Sequence, residues 1–260
     1  MLKIFRFYFF DLIRSRWTVL YALFYLLLTS ALLLLSPNLS KVIISLMNIV
    51  LFLVPLIASM LGIMYFYSSR DFIELLLAQP LRRSTIFFGQ YLSIVGSLGL
   101  SLLLGIGIPF LLYGILSSAE IWNYLVLLGT GLMLTFIFSG IAFWIALKHE
   151  NRIKGFGLMI LCWLFFAVIY DGLFLLGLSW FNDYPLEKFA LGASLFNPID
   201  LSRILILLKL DIAALMGFTG AVFSKFLGSG LGMLISMASL LLWVGFPIWR
   251  IRAISLKKDF

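Results

Sequence analysis

The sequence has few charged residues. Asp, Glu, Lys and Arg make up 12% of its 260 residues, against about a quarter of an average globular chain. Hydrophobic residues account for 63% of the chain, and its mean hydropathy is +1.14. A water-soluble domain of this length has no core large enough to hold so much apolar surface. The composition therefore excludes a soluble globular protein and predicts a chain that lies in the lipid bilayer.

Residues that carry metal, redox and hydrolytic chemistry are also scarce. The single cysteine, Cys162, has no intrachain partner, so no disulfide framework is possible. The single histidine, His149, lies among Lys148, Glu150 and Arg152 with no second histidine or cysteine near it in sequence. The phosphate-binding pattern G-x-x-x-x-G-K-[ST] is missing, as are H-E-x-x-H and G-x-S-x-G. We therefore expect a non-catalytic chain with no metal and no directly bound cofactor.

Long apolar runs dominate what is present. Six of them reach the length of about 20 residues that crosses the hydrocarbon core as a helix. They cover residues 17–36, 42–67, 91–116, 122–147, 153–179 and 226–249. The sequence therefore predicts one all-α, polytopic transmembrane domain over residues 1–260.

The basic residues predict the orientation of these spans. With the N-terminus in the cytoplasm, the inner segments hold 14 of the 19 Lys and Arg residues: Lys3, Arg6, Arg14, Arg16, Arg70, Arg82, Arg83, Lys148, Arg152, Lys154, Arg250, Arg252, Lys257 and Lys258. The outer segments hold the other five: Lys41, Lys188, Arg203, Lys209 and Lys225. The positive-inside rule then places both termini in the cytoplasm. This distribution favours membrane lipid, and not nucleic acid, as the partner of the net charge of +8.

Residues 2–16 form an amphipathic pattern before the first span. At 100° per residue, Lys3, Arg6, Asp11 and Arg14 fall on one arc, while most of the aromatic and aliphatic side chains lie elsewhere. This pattern is typical of a helix that lies in the membrane interface. The alternative is a plain basic flank that only orients the first span.

The inner loop at residues 68–90 contains a second amphipathic segment. Asp71 and Glu74 have the spacing of a capping box that opens a helix, and Pro80 ends it. A further helix can begin at Ser84 and run into the third span. A solvated loop has little reason to carry five aliphatic residues, namely Ile73, Leu75, Leu76, Leu77 and Leu81. We therefore expect this segment to dock a soluble partner, with an ordinary connecting loop as the alternative.

The outer segment at residues 180–225 is too long for a turn and too apolar for a free linker. The run Asn197-Pro198-Ile199-Asp200 is typical of a helix start, with Asn197 as the N-cap and Pro198 at the first position. Arg203 follows Asp200 by three residues, within side-chain reach. The apolar residues 212–223 are candidates for re-entry into the outer leaflet.

Asp171 is the one acidic residue within a predicted span. A charge inside a membrane is costly and is a functional hypothesis by default. At 1.5 Å per residue, Asp171 lies about 27 Å along the fifth span, near the outer interface, where water or a lysine of the outer segment can reach it. A role in substrate passage or gating and a structural hydrogen-bonding role both remain open.

Small residues recur every fourth position along the start of the third span, at Gly89, Ser93, Ser97, Ser101 and Gly105. A second series, Ser224, Gly228, Gly232 and Ser236, lies in the sixth span. Such series let helix backbones approach closely in lipid. The sequence does not distinguish a seam within the chain from a seam between two copies.

The order of these features resembles the permease subunit of ABC-2 type exporters. The run Leu75-Leu76-Leu77-Ala78-Gln79-Pro80-Leu81-Arg82-Arg83 looks like that family's leucine-rich stretch, proline and basic pair before the third span. The family's usual Glu-Gly-Thr entry is replaced by Arg70, Asp71 and Phe72. The resemblance implies a homodimer and a cytoplasmic ABC ATPase that binds ATP and docks at Asp71, Phe72, Ile73, Glu74, Leu76, Leu77, Pro80, Arg82 and Arg83.

Three further stretches resemble one branch, the NosY-type permeases of the ABC transporter that matures nitrous oxide reductase. They are Asp11 to Trp17, Tyr170-Asp171, and Asn197 to Arg203. The branch implies a bacterial inner membrane and a periplasmic β-helical copper-delivery protein, contacted by Asn197, Pro198, Asp200 and Arg203. It implies either transport of a copper or sulfur species or mechanical driving of that partner. The alternatives are an ABC-2 exporter of a hydrophobic drug or lipid, and a membrane scaffold without transport.

Overall fold

The computed structural model describes residues 2–180, 192–210 and 218–255, and the regular elements among them are all helical, as predicted. In chain order the helices are α1 (Leu2–Ile13), α2 (Arg16–Leu35), α3 (Leu39–Ser68), α4 (Arg70–Leu77), α5 (Arg83–Leu112), α6 (Ile121–Lys148), α7 (Arg152–Leu164), α8 (Tyr170–Trp180), α9 (Pro198–Lys209) and α10 (Phe218–Ser255). A π-helical turn, Phe165–Ile169, joins α7 to α8, so that the two form one long helix.

Within the described residues, six helices are long and apolar enough to cross a membrane. They comprise Arg16–Leu35, Leu39–Ser68, Arg83–Leu112, Ile121–Lys148, Arg152–Gly177 and Gly232–Ser255. This number agrees with the six predicted spans and with a multi-pass membrane protein. The helices α3, α5 and α6 are the most buried of the six and form the centre of the bundle.

Asparagine side chains start several of these helices. Asn38 accepts a hydrogen bond from the Lys41 backbone N–H at 3.3 Å and caps α3. Asn151 caps α7 in the same way through two backbone N–H groups. An asparagine oxygen satisfies backbone donors that the first helical turn leaves free. These caps fix the beginnings of the helices more precisely than the apolar runs do.

The third span ends earlier than predicted. The sequence suggested Leu116, but α5 ends at Leu112 and Gly114 adopts φ of +83°. The Gly114 backbone N–H donates to the Leu111 carbonyl at 3.2 Å. Glycine takes this left-handed conformation without a steric penalty and therefore ends the helix, although the apolar run continues beyond it.

The sixth span differs at its start. Its helix begins at Phe218, eight residues before the predicted start at residue 226. The glycines within 218–232 do not interrupt this helix. In a membrane a helix satisfies its backbone hydrogen bonds internally, whereas a break would leave some of them without a partner. Of the predicted re-entrant stretch 212–223, residues 212–217 lie outside the described part, and residues 218–223 belong to α10.

The small-residue series of α5 is a seam within the chain. The Ser93 hydroxyl donates to the Phe5 carbonyl at 2.9 Å, which fixes α1 along the first half of α5. A Cβ atom added at Gly105 would lie 2.8 Å from the Ala22 carbonyl oxygen and from Tyr25 Cβ. The series therefore receives α1 and α2 of the same chain. Of the second series, Ser224 and Gly228 lie where no side chains are described, whereas Gly232 and Ser236 are buried.

Candidate functional sites

The helix α4 begins at a different residue from the one predicted. Ser69 is its N-cap residue, and the Ser69 hydroxyl donates to the Tyr65 carbonyl at 2.7 Å instead of capping α4. The predicted capping box is not formed, because Glu74 accepts a hydrogen bond from Arg70 Nε at 3.1 Å. Asp71 lies in the first turn, where its negative charge interacts favourably with the positive end of the helix dipole. The helix was predicted correctly, but its capping was not.

The side chains of α4 divide into an anchor and an outer face. Ile73 is only 2% exposed and packs into the core, so it holds α4 on the bundle and does not offer a contact surface. Phe72 and Leu75 are 37% and 67% exposed, and Leu76 and Leu77 are half-buried. Leu75 was one of the five aliphatic residues that predicted docking, but it was not among the ATPase contacts that the resemblance implied. It is the most exposed aliphatic residue of α4.

The helices α1 and α4 together form one surface. The Phe72 ring stacks on Phe7 with centroids 5.0 Å apart and meets Tyr8 edge-on at 5.8 Å. A groove of about 410 Å³ lies between the two helices. Its lining is mostly aromatic and aliphatic, with one basic and two neutral polar side chains: Lys3, Ile4, Phe7, Tyr8, Phe72, Leu76, Gln79, Leu81 and Thr85. We call these residues, with Leu75, the α1–α4 surface.

The connection that follows α4 is exposed and basic. Pro80, Arg82 and Arg83 are all exposed. The Leu81 backbone N–H donates to the Gln79 carbonyl at 2.7 Å, and the Thr85 backbone N–H donates to the Arg82 carbonyl at 2.9 Å. These tight turns let α5 begin at Arg83, shortly after α4 ends and one residue before the predicted start at Ser84.

Hydrogen bonds connect the start of α4 and its surroundings to two other helices and to the turn between α6 and α7. The Tyr67 hydroxyl donates to the His149 carbonyl at 2.6 Å, and Arg70 Nη1 donates to the Glu150 carbonyl at 3.4 Å. Gln90 of α5 donates to the Ser69 hydroxyl. A displacement of α4 would therefore reach α3, α5 and the turn between α6 and α7 together. We call the end of the bundle where these contacts lie the α4 end of the bundle.

A second candidate site joins the fifth span to α9. Arg203 Nη1 lies 3.2 Å from Asp171 Oδ2 and 3.0 Å from Asp200 Oδ1. The Asn197 side-chain amide donates to Asp200 Oδ2 at 3.0 Å and lies 3.5 Å from Asp171 Oδ1. The structure thus brings together the predicted intramembrane acid and three of the four residues that the family resemblance assigned to an outer partner. We call these four residues the Asp171 cluster.

The π-helical turn explains why Asn197 is placed there. In an unbroken α-helix, the Tyr170 backbone N–H would donate to the Phe166 carbonyl, but here it donates to Phe165. The Asn197 amide donates to the Phe166 carbonyl instead, at 3.0 Å. The Asn197 side-chain oxygen also accepts from the Ile199 backbone N–H at 3.0 Å and caps α9, as predicted. One side chain therefore starts α9 and attaches it to the fifth span.

The Asp171 cluster contains two carboxylates and one guanidinium. Burial raises the pKa of Asp200 to about 7, and the nearby negative charge of Asp171 adds to this shift, while Arg203 opposes it. The side chain of Asp200 is 14% exposed, whereas those of Asp171 and Arg203 are 31% and 33% exposed. The cluster is therefore open on one side, and its most buried carboxyl, Asp200, keeps its proton to a higher pH than an exposed aspartate does.

From the sequence, water or a lysine of the outer segment was expected near Asp171, whereas the structure provides Arg203. Arginine suits this position because its planar fork reaches two carboxylates at once. Asn197 and Pro198 are buried within the chain. Their predicted contact with an outer partner stays a prediction, while their contacts within the chain are with the fifth span and α9.

The segment around α9 packs inside the helix bundle. The Tyr170 hydroxyl donates to the Ala193 carbonyl at 2.5 Å, and Trp243 Nε1 of α10 donates to the Leu195 carbonyl at 3.1 Å. Nearly every residue from Pro198 to Leu208 is buried. The described part of the outer segment, residues 192–210, is therefore held between the fifth and sixth spans and is not a free surface loop.

No family model matches the chain, and no curated protein matches it. The resemblance to ABC-2 permeases therefore depends on the sequence stretches quoted above.

Proposed function

We propose that this chain is the membrane subunit of an ABC-type transporter and receives ATP-driven motion from a separate cytoplasmic ATPase. The observation that supports this proposal is the α1–α4 surface. Phe72 and Leu75 protrude from a short helix that Ile73 anchors to the bundle. A short amphipathic helix between two 30-residue helices is suited to receive a soluble partner and to pass its movement to both of them.

The proposed path of this motion runs through α4 into the centre of the bundle. Arg70 joins α4 to the turn between α6 and α7, and Gln90 joins α5 to Ser69 at the start of α4. Tyr67 joins α3 to the same turn, so the ATPase moves α3 and α5 together. The Tyr91 hydroxyl donates to the Phe136 carbonyl at 2.9 Å and couples α5 to α6. Both α6 and α10 contact α9, which is attached to the fifth span by the Asp171 cluster. Motion at α4 thus changes the opposite end of the bundle.

The finer proposal follows the nitrous oxide reductase branch. The chain then forms a homodimer in the bacterial inner membrane, with both termini in the cytoplasm and a periplasmic β-helical copper-delivery protein at the outer end. The predicted spans are poor in polar and sulfur side chains. For this reason we favour mechanical driving of the periplasmic partner over transport of a copper or sulfur species. ATP-dependent accumulation of copper or sulfide in vesicles would contradict the mechanical version.

A pull-down from detergent-solubilised membranes tests the ATPase contact. The tagged wild-type chain is compared with a Leu75→Asp, Leu76→Asp variant and with Ile153→Asp. Ile153 is a matched control, because it is 82% exposed and lies at the same end of the bundle but outside the α1–α4 surface. We expect the double variant to lose the ATPase, since a charge opposes burial of this face, and the control to keep it.

The identity of the recovered proteins separates the alternatives. An ABC ATPase together with a periplasmic β-helical copper protein supports the maturation branch. An ATPase alone favours an exporter of a hydrophobic drug or lipid. If wild-type chain recovers no ATPase in several detergents, the ABC proposal fails and the scaffold alternative replaces it.

A further inference from the structure

The helix α1 and the turn after it carry a row of cationic and aromatic side chains. Arg6, Phe10 and Arg14 follow one another at intervals of four residues, so they lie on one side of the helix, and Lys3 precedes Arg6 by three. All four side chains are exposed. The guanidinium carbon of Arg6 lies 5.7 Å from the centre of the Phe10 ring, so cation–π attraction holds the guanidinium on this row.

This row lines an open groove of about 540 Å³ on the outside of the bundle. We call it the α1 groove; its lining residues are Lys3, Arg6, Phe7, Phe10, Asp11 and Arg14. Three basic residues and one acidic residue give the lining an excess of positive charge. The acidic residue is bound from the other side, because the Tyr65 hydroxyl of α3 donates to Asp11 Oδ2 at 2.7 Å. The α1 groove is therefore accessible, cationic and partly aromatic.

The position of α1 on the bundle indicates what surrounds the groove. A Cβ atom added at Gly89 would lie 2.9 Å from Ile4, and one added at Gly96 would lie 3.4 Å from Phe9. The helix α1 therefore lies along the first half of α5 and leads into α2, the first span. Trp17 at the start of α2 is 50% exposed, and tryptophan near the end of a membrane helix is typical of the boundary between lipid and water. The α1 groove thus lies beside the headgroups of the leaflet at the α4 end of the bundle.

We propose that the α1 groove binds the headgroup of an anionic phospholipid. Arg6 and Arg14 lie about 12 Å apart along the chain direction of the helix, and they donate to the phosphate oxygens from opposite sides. Hydrogen bonds from guanidinium to phosphate are charge-assisted and can be bidentate. The exposed Phe7 and Phe10 rings contact the beginning of the acyl chains, as apolar side chains of interfacial helices do. A free phosphate ion offers the same oxygens but leaves both rings uncovered, so the ligand is the lipid.

The lipid site can be tested apart from the proposed ATPase contact. Lys3 and Phe7 line both the α1 groove and the groove between α1 and α4. Arg6, Phe10 and Arg14 do not belong to the α1–α4 surface. Changes at the two arginines therefore alter the lipid site and leave the α1–α4 surface as it is.

Native mass spectrometry of the purified chain in detergent, titrated with phosphatidylglycerol, measures lipid binding. The wild type is compared with an Arg6→Gln, Arg14→Gln variant. The matched control is Arg152→Gln, Lys154→Gln, which removes the same charge from exposed positions at the start of α7. We expect binding to weaken about tenfold in the groove variant, the size of one or two lost charge-assisted hydrogen bonds. The control variant binds as the wild type does.

Thermal unfolding gives a second measurement. Phosphatidylglycerol raises the Tm of the wild type and of the control variant but not of the groove variant, whereas inorganic phosphate raises none of them. Arg6→Lys, Arg14→Lys, which keeps the charge without the planar forks, serves where the glutamine variant does not fold and shows reduced lipid binding. Equal lipid binding by the groove and control variants, or an equal Tm increase with inorganic phosphate, overturns the proposal. No ATPase is present, so the outcome is independent of the proposed transporter function.

Discussion

Arg203 joins two acidic residues that lie 29 positions apart in the sequence. One of its nitrogens, Nη1, lies 3.2 Å from Asp171 on the fifth span and 3.0 Å from Asp200 on α9. The first of these contacts attaches α9 to a helix with which it shares little other packing. The position of α9 therefore depends on charge as well as on apolar contact.

Replacing Arg203 with glutamine leaves two carboxylates close together without their shared cation. We expect the free energy of unfolding to fall by about 1–3 kcal/mol. The loss is no larger because the side chains of Arg203 and Asp171 are each about a third exposed, and solvent screens their attraction. Asp171→Asn removes part of the repulsion, so the double variant loses less than the sum of the two single losses. Denaturation of the purified chains in detergent measures this. Strictly additive losses would contradict a direct coupling between the two residues.

The stability of the protein depends on pH through Asp200. Its folded-state pKa is raised from about 3.8 to about 7, so the folded protein binds a proton more tightly than the unfolded chain. The resulting stabilisation is complete below the unfolded pKa and is lost as the pH rises through 7. We expect Tm to fall between pH 5 and pH 8 and the slope to be smaller in Asp200→Asn. The control is Asp71→Asn, which changes an exposed carboxylate and leaves the slope as in the wild type.

Glycine at position 105 is required by the close approach of α2 to α5. In Gly105→Ala, the new Cβ would lie 2.8 Å from the backbone oxygen of Ala22, which a side-chain rotation cannot relieve. We expect a loss of about 1–3 kcal/mol from overpacking. Gly129→Ala is the matched control, because a Cβ there meets nothing within 4 Å and alanine favours a helix by up to about 1 kcal/mol. Thermal unfolding of both variants separates crowding from helix propensity.

Features that depend on neighbouring residues could be predicted from the sequence better than features that depend on distant residues. The helix α4 follows from its aliphatic residues and Pro80, and α9 follows from the Asn197-Pro198 start. The π-helical turn left no signal, because its residues, Phe165–Ile169, are apolar in any helical conformation. Asp171 and Arg203 show no relationship in the sequence, since only the packing of α9 inside the bundle brings them together. Burial of Ile73 and exposure of Leu75 likewise depend on how α4 rests on the bundle.

Asn197 provides the last test, because its amide group has two separable functions. Asn197→Asp keeps an oxygen that caps α9 but loses the N–H group that reaches the Phe166 carbonyl and Asp200, and it adds a third carboxylate to the Asp171 cluster. Asn197→Ser keeps a cap without adding charge. We expect the aspartate variant to lose more stability than the serine variant. The loss is larger at pH 8 than at pH 5, since Asp200 is protonated at the lower pH and charged at the higher one. Unfolding at both pH values measures the difference. Equal losses in the two variants at both pH values would show that Asn197 acts as a helix cap alone.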